Sequence, residues 1–238
     1  MSFLVAVYVN EGIVLASDRR STYTQTENIN GLSVHKIGIH VTNSTDKTFI
    51  CPNGAGISTC GDASLMGKPI TGFIQEMIHF KIKEETSVKE IPQIIIDYFS
   101  NFDVIPNVNF LVAGYVADED STQNQKLYKI VLNPGRKAIE EINTAKQGAV
   151  WDGETTTFSR ITQDVAILQN GSYVNLPHEE ILFSYFTLQD AVDFARFAVE
   201  TTINTMRFKN VIETVGGSVD VFVITPKETR WLQKAELH

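Results

Sequence analysis

The residues with chemistry to offer near the start of the chain are Ser2, Asp18 and Lys36. A serine hydroxyl is a weak nucleophile until a base takes its proton. With Met1 removed, Ser2 would carry its own base: a free α-amine has an unperturbed pKa of about 7.7–8.0, so part of it is uncharged near neutrality. Met1 precedes a small residue, the arrangement that methionine aminopeptidases trim, so no pro-segment is needed. A nearby cation lowers the amine pKa further by like-charge repulsion. Lys36 is the candidate cation and Asp18 the carboxylate that would hold it. Backbone N–H groups in the small-residue run Gly56 to Gly61 could stabilise an oxyanion.

Positioning these groups requires a hairpin. Phe3 to Val9 is β-branched-rich and apolar on both faces, which suits a strand covered on both sides. Asn10-Glu11-Gly12 turns the chain, and Ile13 to Ala16 returns beside it. Thr22 to Gly31 is polar and reads as a loop. Val34 to Val41, Lys47 to Cys51 and Gly54 to Cys60 read as strands. A helix is expected from Gly61-Asp62-Ala63 to about Glu84, kinked or shortened by Pro69. Ser87-Val88-Lys89-Glu90 is a capping box for a second helix. Strands return at Asn109 to Tyr115, Lys126 to Leu132 and Lys137 to Ile142, with turns at Asp118 to Gln125 and Asn133-Pro134-Gly135. Helical pattern is expected at Thr155 to Leu168, at Glu179 to Phe186, and from Thr187-Leu188-Gln189-Asp190 to about Arg207. Val219 to Thr225 and Arg230 to Leu232 are the last strands. Segregated blocks of strands and helices indicate α+β with antiparallel sheets, in one domain over residues 1–238.

Composition narrows the partners. The chain has 238 residues and a net charge of −8, with no Lys/Arg-rich run. Nucleic acid is therefore not an expected partner. No stretch approaches the roughly 20 apolar residues of a membrane span, and the N-terminus lacks a signal peptide's basic region. The expected location is the cytoplasm. The two cysteines, Cys51 and Cys60, sit in apolar runs and read as small core residues, with no disulfide framework. The five histidines are scattered, and neither a metal nor a cofactor is expected.

Five blocks, in order, carry a family resemblance. Gly12-Ile13-Val14-Leu15-Ala16-Ser17-Asp18-Arg19-Arg20-Ser21-Thr22 resembles the signature near the start of proteasome β-type subunits. His35-Lys36-Ile37 resembles their lysine-bearing strand, and Gly56 to Ala63 the strand leading into their first long helix. Phe110 to Tyr115 and Gly216 to Thr225 resemble later strands. The resemblance implies the N-terminal nucleophile hydrolase fold: a four-layer αββα sandwich with two antiparallel sheets between helix layers. It implies Ser2 as nucleophile in place of threonine, Asp18 and Lys36 as its acid and lysine, Thr22 as a residue whose backbone pairs with bound peptide, and Ser58 at the oxyanion-hole glycine. Cys60 and Ser21 are candidates for lining a specificity pocket. The implied function is a proteasome-like hydrolase of peptides or unfolded proteins, acting in a homo-oligomeric ring.

Two stretches depart from the family pattern. Gln147 to Gly153 stands where a Gly-Ser-Gly stretch is expected, and Ile212-Glu213-Thr214-Val215 where an acid and a serine are expected. They motivate an alternative, a non-catalytic ring or scaffold subunit. A small-molecule amidase of the same superfamily is a third reading. Trp151-Asp152-Gly153-Glu154 reads as a turn with a half-buried tryptophan, the alternative being a role at a subunit contact or at the site.

Overall fold

The computed structural model describes residues 2–30, 32–117, 123–177 and 179–236. Met1 and most of the turn expected at Asp118 to Gln125 lie outside the described residues. The elements begin with β1 (Phe3–Val9), β2 (Gly12–Asp18), β3 (Ser21–Ile29), β4 (Leu32–Thr42), β5 (Thr48–Ile50), β6 (Gly56–Gly61), β7 (Ser64–Leu65) and β8 (Lys68–Pro69). There follow α1 (Ile70–Lys81), α2 (Ile91–Ser100), β9 (Val108–Ala117), β10 (Gln123–Asn133), β11 (Arg136–Glu141), β12 (Gly148–Gly153) and α3 (Thr156–Thr162). The chain closes with β13 (Ala166–Gln169), β14 (Ser172–Asn175), a 3₁₀ turn at Phe183–Tyr185, α4 (Leu188–Met206), β15 (Val219–Ile224) and β16 (Thr229–Gln233).

Two five-stranded antiparallel sheets dominate, in the orders β12-β1-β2-β15-β16 and β11-β10-β9-β6-β5. Strand alternation explains why β1 is apolar on both faces. Phe3, Val5, Val7 and Val9 pack with Ala191, Ala195 and Val199 of α4. Leu4, Ala6 and Tyr8 point the other way and meet Leu111, Ala113 and Leu127 of the second sheet. A third cluster joins that sheet to Ile74, Met77, Ile95 and Phe99 of α1 and α2. The capping box at the head of α4 is formed, with Thr187 and Asp190 satisfying each other's backbone N–H groups.

The structure does not form the four-layer αββα sandwich that the resemblance implies. The molecule is mostly antiparallel β: among the described residues it has sixteen strands against four α-helices, and three of its five sheets are separate two-stranded ribbons, β3–β4, β7–β8 and β13–β14. Three stretches account for the difference. Residues 64–69 form a ribbon closed by Met66 and Gly67, both at positive φ, so α1 starts only at Ile70, after Pro69. The helix expected over Thr155 to Leu168 ends at Thr162, and 166–175 turns back through Asn170-Gly171 as a ribbon. The polar stretch read as a loop over 22–31 is mostly β3. Outside the first sheet stand one long helix and one of seven residues, which do not make a continuous layer.

Candidate active site

The register of the first hairpin builds the corner. Leu4 lies opposite Ser17, which sets Phe3 across from Asp18 at the open end of the sheet. Asp18 is fully buried, and each carboxylate oxygen has two partners. Oδ1 accepts from the Phe3 N–H at 3.0 Å and from Lys47 Nζ at 2.7 Å. Oδ2 accepts from the Arg20 N–H at 3.1 Å and the Gly216 N–H at 2.9 Å. One oxygen thus ties the residue after Ser2 to a lysine. A buried carboxylate needs such partners, because an unpaired one costs several kcal/mol.

The lysine at this corner is Lys47, where Lys36 was expected. Lys36 sits on β4 in the outlying β3–β4 ribbon and pairs with Glu27 at 2.7 Å, about half exposed. The β3–β4 hairpin accounts for the difference: it carries Lys36 away along its length, and the chain returns to the corner only at residues 43–47. There Asn43 Oδ1 accepts from Arg20 Nε at 2.8 Å, and the Thr45 N–H donates to Arg19 O at 3.1 Å. Lys47 also donates to the Arg20 carbonyl. Burial lowers its pKa from the usual lysine value, while the charge and hydrogen bond of Asp18 pull it back up.

Ser2 is buried just before β1, and its carbonyl accepts the Glu154 N–H at 2.7 Å. This explains Trp151-Asp152-Gly153-Glu154, which sequence left as a turn. Residues 148–153 are β12, paired with β1 so that Gly153 lies opposite Phe3. A Cβ at Gly153 would stand 1.9 Å from the Ser2 carbonyl oxygen, and its φ is +90°. Only glycine allows the approach. Beside it, Asp152 accepts from Lys129 Nζ at 2.9 Å and from Asn109 Nδ2.

Ser2, Ser21, Thr22, Lys47, Thr59, Cys60, Gly61 and Asp62 line one cleft. Its free volume is about 20 Å³, room for one water. Thr22 is nearly buried, its Oγ1 3.5 Å from the Glu213 carbonyl. Ser21 and Cys60, the two candidate lining residues, both face the cleft. Burial, followed by the Asp152 charge, pushes the Cys60 thiol up to about 12.

Ser58 is in a different position from the one expected. It lies in the middle of β6, fully buried, with its Oγ hydrogen-bonded to Thr48 Oγ1 at 2.8 Å; that hydroxyl also bonds Ser17 Oγ at 2.9 Å. The end of β6 reaches the cleft instead. Gly61 has φ +122°, and a Cβ there would stand 2.3 Å from the Asn107 carbonyl oxygen.

Of the two departing stretches, residues 148–153 are β12 beside Ser2, and the other, 212–215, borders the Asp18 corner. Glu213 pairs with Arg20, and Gly216 supplies an N–H to Asp18. Arg19 is buried between Asp220, at 2.8 Å, and Asp46, at 2.6 Å. Sequence reasoning missed Lys47 and the Gly216 N–H, and it included Gly61 only as the last residue of the run offered for the oxyanion. The signal for Lys47 was its place at the head of a short apolar strand hairpinned to the small-residue strand β6. Among the described residues no cluster of His, Cys, Asp and Glu could hold a metal, and no helix is long and apolar enough to cross a membrane.

No family model matches the chain, and no curated protein matches it. Among solved structures, the chain is similar to an Anbu (Gly-1) mutant from Hyphomicrobium sp. strain MC1. The TM-score is 0.58 at 14% identity, covering 98% of this chain and 86% of that one. At that identity the likeness speaks for a shared fold.

Proposed function

We propose that the chain is a proteasome-like amide hydrolase whose nucleophile is Ser2 Oγ once Met1 is removed. The observation that carries this reading is the Asp18 Oδ1 bridge between the Phe3 N–H and Lys47 Nζ, buried beside Ser2. The sequence resemblance to proteasome β-type subunits and the fold likeness to Anbu support it.

In this reading the α-amine of Ser2 takes the hydroxyl proton through a bridging water. Ser2 Oγ attacks the carbonyl carbon of a peptide bond. Backbone N–H groups at the end of β6 stabilise the oxyanion. The C–N bond then breaks, the amine proton goes to the leaving nitrogen, and an ester to Ser2 remains. Water attacks the ester and gives a proton to the amine; the C–Oγ bond breaks, the acid leaves, and the amine passes that proton back to Ser2 Oγ. Lys47 takes the role first assigned to Lys36: its charge lowers the amine pKa, and Asp18 holds it in place. Thr22, at the base of β3, is the backbone that would pair with an extended peptide.

Two measurements test the reading. Intact mass of the purified protein should show Met1 gone, and an electrophilic peptide probe should add once, at Ser2. Ser2→Ala should cut peptide hydrolysis by on the order of 10³-fold or more while the thermal transition stays in place. Unchanged turnover would sink the proposal. The narrowness of the cleft favours a second reading, a non-catalytic subunit of the same fold. Retained Met1 together with no adduct would select it.

A further inference from the structure

A second buried carboxylate stands beside Ser2, on the side away from Asp18. Asp18 reaches the corner along β2, and Asp152 reaches it along β12, with β1 between them. Leu4 lies opposite Asp152 and Phe3 opposite Gly153, and the Ser2 carbonyl accepts the Glu154 N–H, so the register carries Ser2 opposite Glu154. Alternation then turns Ser2, Leu4 and Asp152 to one face of this sheet, the face toward the second sheet. The contacts agree: Ser2 lines the cleft with Cys60 of β6, while Asp152 bonds Asn109 of β9 and Lys129 of β10. Ser2 and Asp152 are diagonal neighbours across the strand pair, a spacing of roughly 7–8 Å. Cys60 joins them. It pairs with Asn109, and a Cβ at Gly153 would stand 3.5 Å from its own Cβ. Asp152 is held in place on three sides, by the Gly153 N–H at 2.7 Å, by Asn109 Nδ2 and by Lys129 Nζ at 2.9 Å.

We infer that Asp152 and Lys129 are positioning residues for the Ser2 α-amine: the carboxylate holds the amine while it carries the proton, and the lysine limits how tightly that proton is kept. The inference rests on the reading of Ser2 as nucleophile. A base that must take a proton and give it back needs both halves of this arrangement. A lone carboxylate would stabilise the ammonium form and leave little free amine near neutrality, whereas a lone cation would make the amine too weak a base. The amine therefore works between two ion pairs, Asp18–Lys47 on one side and Asp152–Lys129 on the other. The other charged groups along the cleft are Asp46, which Arg19 and Lys234 engage, and Asp62, which accepts the Asn107 N–H. The Cys60 thiol, beside Ser2, feels both pairs. After burial, the Asp152 charge raises its pKa, and Lys47 and Lys129 lower it.

The acidic limb of the pH profile of kcat/KM tests it, because that limb reports loss of the proton from the base of the free enzyme. Asp152→Asn removes a negative charge and leaves Lys129 bare, so the limb should move to lower pH by about one pH unit. Lys129→Met removes the positive charge, so the limb should move to higher pH by a similar amount. Lys129→Arg should leave it in place. In Asp152→Asn, kcat should also fall by about tenfold while KM stays near the wild-type value, since the lost contact acts on the protonated amine and not on the bound peptide. The asparagine keeps an oxygen for the Gly153 N–H, and the lysine variants report the same electrostatics from the other sheet should Asp152→Asn fold poorly. A purely structural pair would lower activity by one factor at every pH and move neither limb. That result, or shifts of the same sign in Asp152→Asn and Lys129→Met, would overturn the inference alone, provided that Ser2→Ala abolishes hydrolysis. Turnover that persists in Ser2→Ala would overturn the reading of Ser2 as nucleophile, and this inference with it.

Discussion

Two lysine–carboxylate pairs of equal length sit at opposite ends of the same hairpin system. Lys47 meets Asp18 at 2.7 Å with side chains 4% and 0% exposed; Lys36 meets Glu27 at 2.7 Å with side chains 49% and 33% exposed. The chemistry is the same, and the surroundings differ. At the surface, water and salt screen the attraction, and a pair contributes roughly 0–1 kcal/mol. In the interior, the carboxylate has no solvent to fall back on, so removing its cation leaves a desolvated charge. The buried pair also sits against Ser2, and the exposed one points away from it. Proximity in sequence to a recognisable pattern therefore says less about a lysine than the burial of its partner does.

The largest effect expected from this contrast is at Lys47. Lys47→Met should destabilise the fold by about 3 kcal/mol or more, because it strands Asp18 with only backbone donors. It should also abolish the proposed hydrolysis. Adding Asp18→Asn should recover part of the stability and none of the activity. Chemical denaturation of the two single variants and the double gives the coupling directly. A loss as small as that of a surface pair would break the comparison.

The same pair makes a pH prediction. Burial lowers the folded pKa of Lys47 below its unfolded value of 10.5. Between the two values the unfolded chain binds more protons than the folded one, so this group's contribution to stability rises with pH up to about 10.5. Subtracting the pH–stability curve of Lys47→Met from that of the wild type should leave a positive slope on the alkaline side. A flat or negative difference would contradict the desolvation argument.

A smaller effect is expected at Gly153. Gly153→Ala puts a Cβ against the Ser2 carbonyl oxygen at a φ of +90°. Strain of this kind costs about 1–3 kcal/mol. If the cleft is the active site, turnover should fall further than stability does, since the displaced residue is Ser2 itself. Stability by calorimetry and turnover on a peptide, measured on the same samples, separate the two.

Much of this corner was legible in the sequence. The first hairpin could be read from the apolar runs on either side of Asn10-Glu11-Gly12, and its register follows from that turn. The cap at Thr187 and the apolar stripe of α4 were equally plain, because both are local signals. What could not be read was long-range. Whether β3 and β4 stay near the sheet or run out as a ribbon depends on packing that no local pattern encodes, and that choice decides which lysine returns to Asp18. Ser58 was misplaced for a related reason: the end of a small-residue strand and its middle look alike in sequence, and only the pairing with Thr48 separates them. The start of the ribbon, residues 166–168, reads as helix because Ile167 and Leu168 extend the apolar pattern of α3. The Asn170-Gly171 turn was the contrary signal.

The smallest expected effect is the control that gives the comparison its scale. Lys36→Ala removes a pair whose members keep their water, so stability should change by no more than about 1 kcal/mol. Raising the salt concentration should shrink even that difference, because exposed charges are screened within roughly 10 Å at 0.1 M. The Lys47–Asp18 pair, closed off from solvent, should respond to salt much less. Hydrolysis should survive in Lys36→Ala, whose side chain pairs with Glu27 further along the ribbon from the cleft-lining Ser21 and Thr22. Denaturation midpoints of the two lysine variants at low and high salt measure the contrast directly. If Lys36→Ala lost activity while remaining folded, the lysine assignment would revert to Lys36, and the ribbon would have to fold over the cleft when substrate binds.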